Sequence, residues 1–587
     1  MKLSDVLFST ILCLSATVNG EWTVGQEVNT QSGPVFGSAA SKAPDVSVYL
    51  GIPYAQPPIG DLRFAAPLPF SGNTTATTWV NSAAISSGAA RSMDCCVSFQ
   101  GLEFSSSDRG GGDGDRCFMV IIEKEERTGE KSRPPIGDLR FAAPLPFSGN
   151  TTINGSKFGA SCPVSNLFPG KPDTKGKNLS AAGLATLAKL TKGNNDTSED
   201  CLTINVWTKP QTGEKKKAVV IWVNGKGYVT GSSSDPVYDG QLIVDEQDII
   251  LVTFNYRLSI FGFPGNYHST TNIGLLDERL AVEWVRDNIG AFGGDPTRIT
   301  LAGDSAGAGL VDLYSFAFVH DPIISGIALL SGTAALRGWD PDSWTKAERK
   351  WDIITCDVCR MGAETDPAVV LDCMRQNTTA EITAAIPTDS DALGTKAFFP
   401  SVDNKLIFSN HYELTRVGNF TKVPRLIGSA ANETAYHQIM SSAFPPPWFP
   451  ADFTRDDYNY YTCPASELAE KTAGLGVPTW RYAYFGDFKD SRLTTAAHGQ
   501  AYQGSDVLLM FGNELVPGVK QDADELKLAK YARGALAAFV KNPKTGLTSY
   551  GWPLYNPKTN SLIQLGKDNK VGTFAVSPAA FDKKCSY

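Results

Sequence analysis

Histidine is scarce in this chain. Its 587 residues hold five, His268, His320, His411, His437 and His498, so any chemistry that needs an imidazole has only these to draw on. Charge is thin as well, at 19% of residues with a net of −8. That balance argues against nucleic acid or an anionic lipid surface as a main partner. Beyond the first twenty residues no apolar run is long enough to cross a bilayer, and no stable membrane anchor is expected. No Pro/Ser-rich linker divides the sequence, which favours one large domain, 21–587, over two. Cys356-x-x-Cys359 is followed by no second ligand pair, so it is read as structural rather than as a metal site. Nothing implies a cofactor, and oligomeric state is not legible.

Apolar residues, by contrast, make up 42% of the chain, ample for a large core. The N-terminus, MKLSDVLFSTILCLSATVNG, has one lysine, then an apolar run from Val6 to about Val18, then small residues. It reads as a signal peptide spanning 1–20, with secretion to follow. Sequons at Asn73, Asn150, Asn154, Asn178, Asn195, Asn377, Asn419 and Asn432 fit a glycoprotein. Eleven cysteines become ten once Cys13 leaves with the signal, an even number suited to an oxidising compartment.

The stretch PPIGDLRFAAPLPFSGNTT occurs at 57–75 and again, unchanged, at 134–152. A solenoid repeat would diverge and recur. The residues between the copies show no sustained period, a glycine run and charge clusters. Residues 76–152 are therefore read as a duplicated or artefactual insert within the domain, and Cys95, Cys96 and Cys117 inside it carry no disulfide argument.

After residue 195, short β-branched runs alternate with amphipathic stretches. Lys217–Val223, Asp248–Asn255, Ile299–Gly303, Pro424–Ser429 and Thr479–Phe485 predict strands. Leu275–Phe292 predicts a helix with Leu276, Leu280 and Trp284 on one face and charges opposite. Asp524–Lys541 predicts another, stopped by Asn542-Pro543. This alternation predicts an α/β sheet covered on both faces.

One motif carries chemistry. Gly303-Asp304-Ser305-Ala306-Gly307 is a G-x-S-x-G at the end of an apolar strand and before a run of small residues. A tight strand–helix turn would hold the serine with its hydroxyl exposed, and glycines two positions away avoid collision with neighbouring elements. The longer stretch FGGDPTRITLAGDSAG, 292–307, resembles the serine signature of the type-B carboxylesterases, the cholinesterase and lipase family of α/β-hydrolases. GIPYAQPPIGDLRFAAP (51–67), SEDCLTINVW (198–207), FNYRLSIFGF (254–263) and NIGLLDERLAVEWVRDNIGAFGGDP (272–296) agree in order. The flavour is that of secreted fungal members.

The resemblance implies a large, mostly parallel sheet with helices on both faces, and Ser305 as nucleophile. It puts Asp304 where the family usually has glutamate. It implies an oxyanion hole from Ala306 and from Gly225, Lys226 and Gly227, where the family commonly shows three glycines. Lys226 then either strains the turn or directs its ammonium outward. Glu433 matches the family's acid, so glycosylation of Asn432 is not expected. Counting back from Gly504-Ser505-Asp506 and Phe511-Gly512 puts Gln503 in the histidine's place, and a glutamine takes up no proton. His498 serves if the loop is re-registered, His437 if it swings in; otherwise no base remains. The family usually pairs Cys162 with Cys201. Cys373 is expected to pair with Cys356 or Cys359, and Cys463 with Cys585. The Cys162–Cys201 loop contains no tryptophan, its one aromatic residue being Phe168, so a small uncharged ester is favoured over a choline ester. The function implied is a secreted serine esterase working through an acyl-enzyme. The rival is a non-catalytic relative that binds a ligand with the same fold.

Overall fold

The structure, a computed structural model, describes residues 22–58, 143–144, 149, 152–164, 171–192, 196–266, 270–335, 341–362, 364–387, 398–444, 456–495, 501–513 and 521–585. The expected signal peptide, nearly all of the insert and His498 lie outside them. Eleven strands form one sheet: β1 (Ser38–Ala39), β2 (Ser47–Pro53), β3 (Thr203–Thr208), β4 (Lys217–Val223), β5 (Ile250–Phe254), β6 (Gly294–Asp304), β7 (Gly326–Leu330), β8 (Arg425–Ala430), β9 (Thr479–Tyr484), β10 (Leu562–Leu565) and β11 (Ala575–Val576). Their spatial order is β11-β10-β9-β8-β7-β6-β4-β5-β3-β2-β1. The run from β10 to β5 is parallel, and antiparallel strands complete both edges.

The predicted strands are all present, within two residues of their expected ends except β6, which begins earlier, at Gly294. The reason is burial on both faces. In β4, Val219, Ile221 and Val223 enter one core while Ala218, Val220 and Trp222 enter the other. Such continuous apolar runs are what a parallel sheet covered on both sides requires. Helices Ile273–Asn288 and Ala306–Ala317 cover the first face, and Ala523–Lys541 with Gln241–Gln247 covers the second.

One expectation for Ile273–Asn288 fails. Leu280 and Trp284 are buried as predicted, but Asp277 and Glu278 are buried too. Asp277 is explained by Arg257, whose guanidinium meets its carboxylate at 2.6 Å and whose backbone amide donates to it at 2.9 Å. The burial of Asp277 follows its partner, which helical periodicity does not reveal; Glu278 has no hydrogen-bond partner among the described residues, and burial raises its carboxyl pKa.

The sheet changes direction at β4. From β4 the chain moves to β5 on one side, then crosses back to β6 on the other. Val223 and Gly303 are register partners at the carboxyl ends of β4 and β6. Open α/β sheets bind ligands at such a switch point, outside the carboxyl ends of the strands. A separate three-stranded sheet joins Val28–Thr30, Gly33–Phe36 and Ile153–Asn154. The last of these directly follows the second copy of the duplicated stretch. In that copy Ala143 is buried and the Gly149 amide donates to the Gln31 carbonyl at 3.4 Å.

The disulfides Cys162–Cys201, Cys359–Cys373 and Cys463–Cys585 form. Cys373 thus takes Cys359, and Cys356 is likewise disulfide-bonded. Loop closure distinguishes them, since Cys463–Cys585 spans 122 residues and Cys359–Cys373 spans 14. Chain-entropy scaling gives the longer loop about 2 kcal/mol more stabilisation. Thermal unfolding should therefore show a larger fall in midpoint for Cys463→Ala/Cys585→Ala than for Cys359→Ala/Cys373→Ala; the reverse order would refute the loop-length account.

Candidate active site

Ser305 follows β6 and precedes the helix Ala306–Ala317, with φ 53° and ψ −123°. A non-glycine residue rarely adopts this backbone, and it costs on the order of 1–3 kcal/mol. Its surroundings hold it there. The Ser305 amide donates to Leu330 O at 2.8 Å, and its carbonyl accepts from Gly309 at 2.9 Å. A Cβ on Gly307 would stand 2.2 Å from Val223 O, and one on Gly332 would stand 2.1 Å from Ser305 O. The glycines are there because backbones touch.

The loop after β4 lies beside this elbow. Lys226, Gly227 and Tyr228 have φ of 76°, 70° and 62°, so the turn keeps its left-handed shape although lysine stands where glycine is usual. Of the two outcomes expected for Lys226, the structure combines elements of both. The backbone carries the strain, and the ammonium folds onto Asp235 in an ion pair at the cavity wall. Burial works against that ammonium, but Asp235, with Tyr436 and Asp304, outweighs it and raises its pKa. Gly225, expected among the oxyanion donors, is committed elsewhere: its amide donates to Asp304 Oδ1 at 3.2 Å. Among the described residues, the amides of Lys226 and Gly227 have no acceptor. Ala306 opens its helix, where amides lack intrahelical partners.

Ser305 opens onto a cavity of about 150 Å³, lined also by Lys226, Asp304, Tyr436, Tyr502 and Gln503. Gln503 occupies the space beside the hydroxyl. Its Nε2 donates to Ser305 Oγ at 3.3 Å, while its Oε1 faces His437 Nε2 at 3.0 Å. The Tyr461 hydroxyl lies 3.4 Å from that same nitrogen. His437, on the helix Ala435–Ala443, therefore stands behind the glutamine. Burial lowers its pKa to about 4, with Gln503 opposing, so the ring is neutral and weakly basic at neutral pH.

Glu433 sits past the end of β8, fully buried. Its Oε1 accepts from Ala430 N at 2.6 Å, and Gln503 N donates to its backbone carbonyl at 3.3 Å. Its Oε2 has no hydrogen-bond partner among the described residues. Burial, with Asp506 and Asp457 adding, pushes the carboxyl well above its ordinary pKa. Buried groups are normally satisfied. Asp506 accepts from the Tyr482 hydroxyl at 2.7 Å.

Asp304 completes the site in a way the sequence did not signal. Its Oδ1 accepts from Gly225 and, at 3.1 Å, from the Tyr238 hydroxyl. Burial raises its pKa to about 7 against the pull of Tyr238, Lys226 and Gly225, with Asp506 adding to the rise. Tyr238 comes from a 3₁₀ turn, Pro236–Tyr238, that no motif marks.

An elbow serine at the switch point of a parallel sheet, beside a left-handed glycine-rich loop, defines an α/β-hydrolase. The chain belongs to the carboxylesterase family, which it matches over residues 24–93 and 132–445. It is 29% identical to secreted lipase 5 of Gibberella zeae, over 97% of this chain and 96% of that one. It is 27% identical to chlorogenic acid esterase of Aspergillus niger, over 75% and 86% of the two chains. Acetylcholinesterase of Leptinotarsa decemlineata is 26% identical, over 72% and 76%.

The shift at Glu433 fixes a pH dependence. A carboxyl whose folded pKa exceeds its unfolded value contributes stability that is fully present below that unfolded value. The contribution is lost as pH rises towards the folded pKa. Here the loss starts near pH 4.5 and proceeds upward. Urea unfolding of Glu433→Gln should thus lose less stability than wild type over that range; identical slopes would show that Glu433 does not carry the shift.

Proposed function

We propose that the chain is a secreted serine esterase that cleaves small uncharged carboxylic esters through an acyl-enzyme on Ser305, at a rate held down by Gln503. The observation that carries this reading is the strained Ser305, opening onto a cavity beside the unengaged amides of Lys226 and Gly227. Ser305 Oγ bonds to the ester carbonyl carbon while the amides of Lys226, Gly227 and Ala306 hold the oxyanion; collapse breaks the bond to the alcohol oxygen, and the alcohol leaves with the serine proton. Gly225 is left out of the donor set. Glu433 keeps the acid's place with no imidazole to orient. His498, the base expected if the loop is re-registered, would need the position beside Ser305 that Gln503 holds.

Secretion is supported by the apolar N-terminus, the disulfides and the Gibberella zeae relative named a secreted lipase. Glycosylation is supported by the exposure of Asn154, Asn178 and Asn419. We read residues 21–587 as one domain with an insert at 76–152; in support, the family match omits 94–131.

A second reading, a ligand-binding relative without turnover, is favoured by one contact: Gln503 bridges Ser305 and His437 with a group that accepts no proton.

Hydrolysis of a short-chain p-nitrophenyl ester separates these. Wild type should turn over slowly, and Ser305→Ala should fall to the uncatalysed rate. Gln503→His should gain at least about 10²-fold, since loss of a triad member typically costs about 10⁴–10⁶. His498→Ala should match wild type; its loss of turnover would make His498 the base. Activity that survives Ser305→Ala would overturn the serine mechanism, and no Ser305-dependent activity in wild type or Gln503→His would favour binding.

A further inference from the structure

With Gln503 beside the nucleophile, an acyl-enzyme on Ser305 needs another acceptor for the proton of the water that releases it. His437 is screened by Gln503. Glu433, buried and bonded through Oε1 to Ala430, does not line the cavity. Asp304 does line it. Its Oδ1 is fixed by Gly225 and Tyr238, which anchors the carboxylate without using Oδ2. A Cβ on Gly225 would stand 2.9 Å from Oδ2 and 3.1 Å from Ser305 Cβ. Asp304 Oδ2 and Ser305 Cβ thus both border the space that a Gly225 side chain would fill. The cavity has volume for several waters.

We propose that Asp304 is the general base of deacylation, taking the proton of the water that attacks the acyl group on Ser305. The proposal rests on the acyl-enzyme reading above. Water oxygen bonds to the acyl carbon as its proton passes to the Asp304 carboxylate, and the carbonyl electrons move onto the oxyanion. Collapse reforms the carbonyl and breaks the bond to Ser305 Oγ, which takes the proton back from Asp304. One ester and one water become one acid and one serine hydroxyl.

The groups around Asp304 set its behaviour. Lys226, paired with Asp235, comes from the loop after β4, and Tyr238 from the adjoining turn. Tyr256 follows β5, Tyr436 lies on the helix Ala435–Ala443, and Asp506 on Ser505–Phe511. Burial and these neighbours leave the carboxyl with a pKa of about 7, close to the optimum for a base at neutral pH.

The test is the burst and steady state of p-nitrophenyl acetate hydrolysis from about pH 5 to pH 9, with Ser305→Ala as the blank. Wild type should show a Ser305-dependent burst, then a steady rate that rises with pH around neutrality. Asp304→Asn should cut the steady rate at least tenfold and abolish that rise while Ser305 is still acylated. Tyr238→Phe removes a bond that favours the carboxylate, so its midpoint should move to higher pH; this variant decides the matter if Asp304→Asn does not fold. An unchanged profile in Asp304→Asn, or an unmoved midpoint in Tyr238→Phe, overturns the role of Asp304 alone. Hydrolysis that is unchanged in Ser305→Ala overturns the acyl-enzyme, and the proposal with it. In Gln503→His the steady rate should lose most of its dependence on Asp304.

Discussion

Everything at the site depends on one unfavourable backbone conformation. Ser305 is held at positive φ because β6 and the following helix meet with no room between them, and the glycines at 303, 307, 225 and 332 allow that approach. A Cβ on Gly303 would stand 2.7 Å from Gly307 C, and one on Gly225 would stand 2.5 Å from Asp304 O. The strain is small beside the apolar surface buried by β4, β6 and β7, which over-determines it. Buried ion pairs tie the same elements together. Arg425 at the start of β8 meets Asp312 of the helix after Ser305 at 2.8 Å, and Asp312 also accepts from Ala334 at 2.9 Å.

Around that fixed backbone the electrostatics run towards protonation. Asp304, Glu433 and Asp506 are buried near one another, and Asp506 raises the pKa of the other two. Lys226 is the counter-charge to Asp304, and it is shared with Asp235. An imidazolium formed during turnover would normally relieve such a cluster. Without one, the carboxyl groups share burial and few donors: Gly225 and Tyr238 hold the rise at Asp304 to about 7, while burial pushes Glu433 well above its ordinary pKa.

The sheet, its strands and the serine elbow were legible because they rest on local signals. β-branched runs buried on both faces and a G-x-S-x-G at a strand's end need no knowledge of distant residues. Asp277 was misjudged because its partner Arg257 lies twenty residues away, and periodicity treats every charge as solvated. The partner of Gly225, expected among the oxyanion donors, was hidden for a similar reason: its amide bonds Asp304, far along the chain. Counting motif residues put Gln503 in the histidine's place, and its side chain stands beside Ser305 Oγ. Its bridge to His437 was not legible, since it depends on how a helix after β8 packs against a loop after β9.

The orphaned Oε2 of Glu433 has a meaning beyond chemistry. It belongs to the residue whose backbone carbonyl takes the Gln503 amide, and Gln503 is also the residue that reaches Ser305. Glutamine and histidine codons differ only in their third base. Replacing Gln503 by histidine is therefore a single-nucleotide change at a position that already touches both Ser305 and His437.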